Sequence, residues 1–192
     1  MMTRPSLSAL LLLATLGLAG CSTVTSMTHQ GTIDENYGER TRGDEVEDQS
    51  IVTKVSHNLS RIDARLDDAR INVDSYSGLV LLTGQVPSEE LKEKASEVAH
   101  RVRNVRDVYN ELTIAGNLPA SQRLTDTWLN TRIRTHLAAN QAIESSRIKV
   151  ITENATVYLM GIVTRAEADR VVQAVSQLGG MQRIVKAFDY LD

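Results

Sequence analysis

Apolar residues recur with helical spacing in two stretches of the chain that lie 78 residues apart. The positions are Ile51, Val55 and Leu59 in the first stretch and Leu129, Ile133 and Leu137 in the second. A spacing of four residues places apolar side chains on one face of an amphipathic helix. Asp48 and Asp126 stand just before these stretches, so we expect each of them to be the N-cap of a helix.

Extended runs of β-branched and aliphatic residues follow each predicted helix. In the first copy they cover 70–75 and 79–86, and the turn between them contains Ser77-Gly78. In the second copy Asn154-Ala155 occupies the turn. Two such runs joined by a short turn predict a β-hairpin in each copy, with the more favourable turn residues in the first.

A second helix and a final strand complete each copy. The helix follows Pro87-Ser88 in the first copy, and it begins at the capping box Thr164-Arg-Ala-Glu167 in the second. The final strands cover residues 107–114 and 183–190. The element order is therefore αββαβ in both copies.

The two copies arose by duplication, because equivalent positions are offset by 78, then 77, then 76 residues along the chain. A hairpin joins antiparallel strands, whereas a strand–helix–strand crossover joins parallel ones. We therefore expect an α+β protein of two tandem αββαβ units, each a three-stranded mixed sheet packed against two helices. Gly84 and Gly161 lie late in the second strand of each unit and indicate a close backbone approach or a bulge at the sheet edge.

The first twenty residues have the layout of a secretory signal. Arg4 precedes an apolar run that is too short for a membrane span, and small residues follow it. The sequence Leu18-Ala19-Gly20-Cys21 resembles the lipobox of bacterial lipoproteins. That resemblance implies that Cys21 is acylated and becomes the first residue of the mature chain. An ordinary signal peptide followed by a chance cysteine is the alternative.

Ser22, rather than aspartate, follows the cysteine, which in lipoprotein families implies export to the outer membrane. We therefore expect a protein anchored to the bacterial outer membrane and facing the periplasm, with no cofactor apart from acyl chains on Cys21. Residues 22–46 are polar, acidic and aperiodic, which indicates a flexible tether. The predicted organisation is a signal peptide (1–20), an acylated N-terminus and linker (21–46), and two domains (47–115 and 118–192).

Each unit carries the pattern Val-x-Leu-x-Gly-x-Val at the end of its second strand. It reads Val80-Leu-Leu-Thr-Gly84-Gln-Val86 in the first unit and Val157-Tyr-Leu-Met-Gly161-Ile-Val163 in the second. An αββαβ unit with this motif resembles the BON domain. Two such units behind a lipobox resemble the dual-BON outer-membrane lipoproteins. The resemblance implies binding to phospholipid and a role in keeping the outer-membrane barrier intact.

The charge of the two domains differs. Residues 47–114 carry 9 bases and 12 acids, a net charge of −3, whereas residues 118–192 carry 9 bases and 7 acids, a net charge of +2. The second domain is therefore the better candidate for contact with an anionic lipid surface. The chain as a whole is slightly acidic, at −3, and lacks the basic stripe that nucleic-acid binding requires, so we expect no nucleic-acid partner.

The first helix of the second domain combines an aromatic residue with basic ones. Trp128 and Arg134 stand where the first copy has Ser50 and Ser56, so the fold does not require them. An amphipathic ring beside cations suits contact with lipid headgroups. The predicted lipid-binding residues are Trp128, Leu129, Arg132, Arg134 and Thr135. Alternatively, Trp128 covers the edge of the core or packs between the domains, and the arginines form a solvated face.

Catalytic and metal-binding patterns are missing from the sequence. The four histidines have no metal-ligand spacing to one another, and no nucleophile or phosphate-loop motif is present. We therefore expect a binding protein and not an enzyme, with membrane phospholipid, anionic in character, as its partner. The second hypothesis is a protein-interaction scaffold, for example an accessory to envelope assembly machinery, in which Trp128 contacts a protein.

Overall fold

The computed structural model describes residues 38–192, which contain both predicted units. Cys21 and most of the predicted tether lie outside these residues. The first unit consists of α1 (Arg42–Ile62), α2 (Ala64–Asp68), β1 (Arg70–Tyr76), β2 (Leu79–Val86), α3 (Glu89–His100), β3 (Asp107–Asn110) and β4 (Thr113–Ile114). The second consists of α4 (Ala120–Ala139), a 3₁₀ helix (Ser145–Arg147), β5 (Lys149–Glu153), β6 (Thr156–Val163), α5 (Arg165–Ser176) and β7 (Arg183–Tyr190).

Each unit contains the predicted mixed sheet. The hairpins β1–β2 and β5–β6 are antiparallel, and the crossover helices return the chain to strands that run parallel to β2 and β6. The α+β fold of two αββαβ units is thus confirmed. The predicted strand 107–114 is divided into β3 and β4, both paired with β2, because the Asn110 side chain accepts a hydrogen bond from the backbone N–H of Leu112 and turns Leu112 into the core.

The predicted N-caps of the first helices are wrong. α1 begins at Arg42, where Thr41 and Asp44 form a reciprocal capping box, so residues 42–46 of the predicted tether are helical. α4 begins at Ala120, directly after Pro119. Both helices therefore start more than a turn before the aspartates that we expected to cap them. Their apolar stripes begin later because only the later turns lie over the sheet.

Asp48, one of these two aspartates, holds the turn of its own hairpin. Its buried carboxylate accepts hydrogen bonds from the backbone N–H groups of Ser77 (2.8 Å) and Gly78 (3.0 Å) and from the Ser75 hydroxyl (2.6 Å). Arg40 donates to the same carboxylate at 2.8 Å. Burial acts to raise the pKa of Asp48, but these hydrogen bonds favour the ionised form and bring the pKa below its usual value.

Asp126 does the same in the second unit. Its two carboxylate oxygens accept from the backbone N–H groups of Asn154 and Ala155, each at 2.9 Å. Both turn residues have positive φ, 48° and 56°, the conformation of a tight type I′ hairpin turn. Alanine at such a φ is strained, so the carboxylate stabilises a turn that the local sequence disfavours.

The motif glycines mark close backbone contacts, as expected. A side chain at Gly84, whose φ is +118°, would overlap the carbonyl oxygen of Arg70. A Cβ at Gly161 would lie 2.5 Å from the carbonyl oxygen of Arg147. Both glycines lie on the central strand of their sheet and not at its edge.

The two sheets pack against each other. Helices cover one face of each sheet and form two separate cores with it. The opposite faces share a third apolar cluster, whose buried members are Tyr76, Leu79, Leu81, Tyr158, Met160 and Ala187. Every residue of β2 is buried as a result. The described residues therefore form one compact unit.

Polar contacts also cross this interface between the two sheets, which we call the seam. Two of them join equivalent pairs of residues, with the roles of the two units exchanged. The Tyr76 hydroxyl donates to the carbonyl oxygen of Arg147 at 2.8 Å. Glu153, the equivalent of Tyr76, accepts from Arg70, the equivalent of Arg147, at 2.6 Å. Reciprocal contacts of this kind are typical of a two-fold interface. Glu153 is buried and also accepts from Gln85 at 2.8 Å.

We expect Asp126→Ala to lower the free energy of unfolding by about 1–3 kcal/mol, because two partly buried backbone N–H groups lose their acceptor. Urea denaturation measures the loss. Asp169→Ala is the matched control, since Asp169 is exposed on α5, and should change stability by less than about 0.5 kcal/mol. Equal losses in the two variants would contradict the role of Asp126.

Asp48 should make the free energy of unfolding depend on pH in the acid range. Its folded-state pKa lies below the value of 3.8 in the unfolded chain, so the unfolded state binds the proton more readily. The stabilisation from this carboxylate is complete above that pH and is lost as the pH falls through the folded-state pKa. Urea denaturation at several acid pH values should show a smaller pH dependence in Asp48→Asn than in the unchanged protein.

Candidate surface on the first helix of the second domain

Trp128 lies on the outer face of α4, with 59% of its surface exposed. It belongs to none of the three apolar clusters. It therefore neither covers the edge of the core nor packs between the domains, which were the two structural alternatives. An exposed tryptophan leaves a large apolar ring available for contact with another molecule.

Arg132 lies one helical turn after Trp128 and contacts its ring. The guanidinium carbon is 5.3 Å from the ring centroid, within the range of a cation–π interaction. Both side chains are exposed. α4 thus presents an aromatic ring and a cation as one surface patch, which we call the Trp128 patch.

Leu129 does not belong to this patch, contrary to the prediction. It is 1% exposed and packs in the core of the second domain. Successive helical residues are turned by about 100° around the axis, which carries Leu129 from the exposed face to the apolar stripe. Its role is to fix α4 on the sheet.

Arg134 and Thr135 contribute to a second surface. Arg134 is two residues beyond Arg132 and is therefore turned by about 200° around the helix axis. With Thr135 it lines a cleft beside the seam between the domains. Within residues 38–192, Arg134 has no ion pair. The structure thus divides the five predicted residues among the Trp128 patch, the core and this cleft.

The cleft has a volume of about 790 Å³. Its lining combines residues of α4, of the 3₁₀ helix, of β5 and of the first domain: Arg40, Tyr76, Thr131, Arg134, Thr135, Leu137, Ala138, Ser145, Ser146, Ile148, Lys149 and Val150. Three of these described residues are cationic, five carry hydroxyl groups and none carries a carboxylate. We call this space the seam cleft.

The first domain contributes Arg40 and Tyr76 to the seam cleft. The Arg40 guanidinium carbon lies 3.9 Å from the centroid of the Tyr76 ring, and its ion pair with Asp48 fixes it there. Burial raises the pKa of Tyr76, although the nearby charge of Arg40 acts against the shift, so the hydroxyl remains protonated and donates to Arg147.

Lys149 completes the cationic lining from β5. Its ammonium nitrogen pairs with Asp74 at 2.8 Å and donates to the carbonyl oxygen of Ser75 at 3.3 Å. The sequence did not indicate Arg40 or Lys149 as site residues, because the packing of the two sheets is what brings Arg40 and Tyr76 of the first domain beside Lys149 and α4 of the second. No pattern within either repeat carries that information.

Leu124 is a further exposed apolar residue on α4, 72% exposed and one turn before Trp128. Its equivalent in the first domain, Val46, is 71% exposed. An apolar residue at this position is therefore common to both copies, whereas the tryptophan is not. The Trp128 patch is specific to the second domain because of Trp128 itself.

Residues 38–192 contain no cluster of three or more histidine, cysteine, aspartate or glutamate side chains that could hold a metal ion. None of the helices in that range is both long and apolar enough to cross a membrane.

Because Trp128 is exposed and Leu129 is buried, replacing them should affect stability very differently. Trp128→Ala should change the free energy of unfolding by less than about 1 kcal/mol. Leu129→Ala should lower it by about 3 kcal/mol, the usual cost of a cavity in a core. Urea denaturation of both variants provides the measurement, and a large loss for Trp128→Ala would show that the ring supports the fold.

Comparison with known proteins agrees with this architecture. The BON domain model matches residues 47–116 and 125–192. Outer membrane lipoprotein DolP of Haemophilus influenzae is 34% identical over 187 residues, 96% of this chain and 95% of the relative. The 21 kDa hemolysin of Actinobacillus pleuropneumoniae is 35% identical over 153 residues, 79% of this chain and 78% of the relative.

Two other matches have lower sequence identity. Osmotically-inducible protein Y of Escherichia coli is 26% identical over 193 residues, 95% of this chain and 96% of the relative. The C-terminal domain of CdsD, the structural protein of the type III secretion system of Chlamydia trachomatis, covers 76% of this chain and 67% of its own, with 17% identity and a TM-score of 0.29. The two BON matches and the full-length similarity establish the family: the chain belongs to the dual BON-domain outer-membrane lipoproteins.

Proposed function

We propose that this lipoprotein is acylated at Cys21, faces the periplasm, and binds anionic phospholipid through α4 of its second domain, thereby helping to maintain the outer-membrane barrier. The observation that carries the proposal is the Trp128 patch. An exposed ring with a guanidinium against it supplies an amphipathic group for the headgroup level of a bilayer and a cation for lipid phosphate.

The first domain acts as an internal control. It has the same fold and therefore shares the structural constraints, but Ser50 stands in place of Trp128 and Ser56 in place of Arg134. Its net charge is −3 against +2 for the second domain. Both differences favour the second domain for contact with an anionic surface.

The expected contact is weak. Burying the exposed part of the Trp128 ring, on the order of 100 Å², contributes about 2–3 kcal/mol. Each cation near an anionic surface adds about 1 kcal/mol. With the one cation of the Trp128 patch the total is about 3–4 kcal/mol, which corresponds to half-saturation at roughly 1–6 mM lipid for the chain without acyl groups.

Such weak contact is sufficient for a protein that is already anchored. Acyl chains on Cys21 would hold the folded part close to the bilayer, where the effective lipid concentration is high. The acyl chains then provide attachment, and the Trp128 patch sets the orientation of the domains and the preference for lipid charge.

The test is co-sedimentation of the mature chain carrying Cys21→Ser, and hence unacylated, with anionic or zwitterionic vesicles. We expect binding selective for anionic vesicles and weakened by salt. Trp128→Ala should weaken it at least tenfold, because the ring supplies the apolar part of the contact. Ser50→Ala, the equivalent position in the first domain, is the matched control and should leave binding unchanged.

Absence of binding to either vesicle would contradict the proposal and would favour the scaffold hypothesis, in which Trp128 contacts a protein. The barrier role is supported by family membership. It requires that cells producing Trp128→Ala become more sensitive to detergents than cells producing Ser50→Ala at the same level.

A further inference from the structure

We infer that the seam cleft is a binding site for the phosphodiester of a lipid headgroup, formed jointly by the two domains. The inference rests on the proposed function, since it assigns a subsite to the same lipid surface. It adds a second element that the Trp128 patch does not supply, namely a pocket that recognises the headgroup itself.

The charge of the cleft suits a monoanion. Arg40 and Lys149 are each paired with a carboxylate that is not among the lining residues of the cleft, whereas Arg134 has no ion pair within the described chain. The balance is close to one uncompensated positive charge. A phosphodiester carries one negative charge, so it matches this site better than a doubly charged phosphate monoester does.

Hydroxyl groups supply the uncharged donors. Ser145 and Ser146 lie in the 3₁₀ helix opposite Thr135 of α4. In the described part of the chain, the hydroxyls of Ser146 and Thr135 make no hydrogen bond to protein. Donors left open to solvent at the rim of a cationic cleft can bind phosphate oxygens without breaking an existing contact.

The cleft is large enough, and apolar enough at its base, to hold the carbon atoms of a headgroup as well as its phosphate. Its volume of about 790 Å³ lies in the range typical of small-molecule sites. Leu137 and Val150 are buried at its base, and the Tyr76 ring forms one wall. An apolar floor beneath polar walls suits the glycerol carbons on either side of a diester.

The position of the cleft relative to the Trp128 patch allows both to meet one bilayer. Thr131 and Thr135 lie three and seven residues after Trp128, and both line the cleft, so the same outer side of α4 borders the two surfaces. The first described residues also lie close to the cleft. Gly38 packs against the Arg147 guanidinium, and Arg40 lines the cleft two residues later.

Equivalent positions at the two ends of the seam differ in charge. At the other end, Glu153 stands in the position equivalent to Tyr76 and neutralises Arg70. Tyr76 replaces that carboxylate at the cleft, and no acid is among the described lining residues. Arg40 and Lys149 pair with Asp48 and Asp74, which lie outside the lining. Neither domain alone contains the site, because Arg40 and Tyr76 come from the first domain and Arg134 and Lys149 from the second.

The test is an NMR titration of the unacylated mature chain, Cys21→Ser, with glycerophosphoglycerol, a water-soluble diester headgroup. We expect amide shifts at Thr131, Thr135, Ser145 and Ser146. Ser146→Glu places a carboxylate in the cleft and should weaken the diester at least fivefold, and Arg134→Gln should weaken it at least threefold. Ser56→Glu makes the same charge change at the first-domain position equivalent to Arg134 and should leave affinity unchanged.

Two further arms separate this proposal from the function on which it rests. Trp128→Ala should lose vesicle binding yet bind the diester with unchanged affinity. Inorganic phosphate should bind several-fold more weakly than the diester, and equal binding would overturn the assignment to a lipid headgroup. If the diester binds in the cleft but unaltered protein does not bind vesicles, the proposed function fails while phosphodiester recognition stands. Shifts confined to residues outside the cleft, or equal weakening by Ser146→Glu and Ser56→Glu, would overturn the inference.

Discussion

Face-to-face packing of the two sheets is the constraint on which the rest of the molecule depends. Each αββαβ unit has helices on one side of its sheet only, so the other side needs a cover. The second unit provides it, and the shared cluster around Leu81 and Tyr158 buries apolar surface that a single domain would expose. This packing fixes α4 beside the first domain, creates the seam cleft, and leaves the outer face of α4, with Trp128, open to solvent.

Repetition made most of the fold predictable, because each element was indicated twice. The hairpins, the crossover and the close approach at Gly84 and Gly161 follow from local periodicity and turn chemistry. The helix starts did not, because Asp48 and Asp126 have the composition of N-caps but serve the hairpin turns across the core. A residue type that satisfies backbone donors in either role cannot be assigned from the sequence of one segment.

The candidate site was only partly predictable for a related reason. Trp128 and Arg134 were indicated by differences between the copies, since Ser50 and Ser56 stand at the equivalent positions. Arg132 was indicated by its place beside Trp128 on one flank of the helix. The seam cleft brings together residues more than ninety positions apart, such as Arg40 and Arg134, and no local pattern encodes their proximity. One signal was present: β2 is apolar on both faces, which is typical of a strand covered on both sides.

Duplication followed by divergence explains how such a site can arise without loss of stability. Both copies keep the buried aspartate that holds the hairpin, so the structural requirement is met twice. Divergence is concentrated elsewhere, on the outer face of α4 and at the seam, where Glu153 and Tyr76 hold equivalent positions. At one end of the seam a carboxylate, Glu153, pairs with Arg70. At the other end the equivalent residue is Tyr76, and the described lining of the seam cleft contains three cations and no acid. The residues that differ between the two ends of the seam thus form the candidate binding site. The apolar cluster that the two sheets share holds the domains in the fixed arrangement that a weak membrane contact requires.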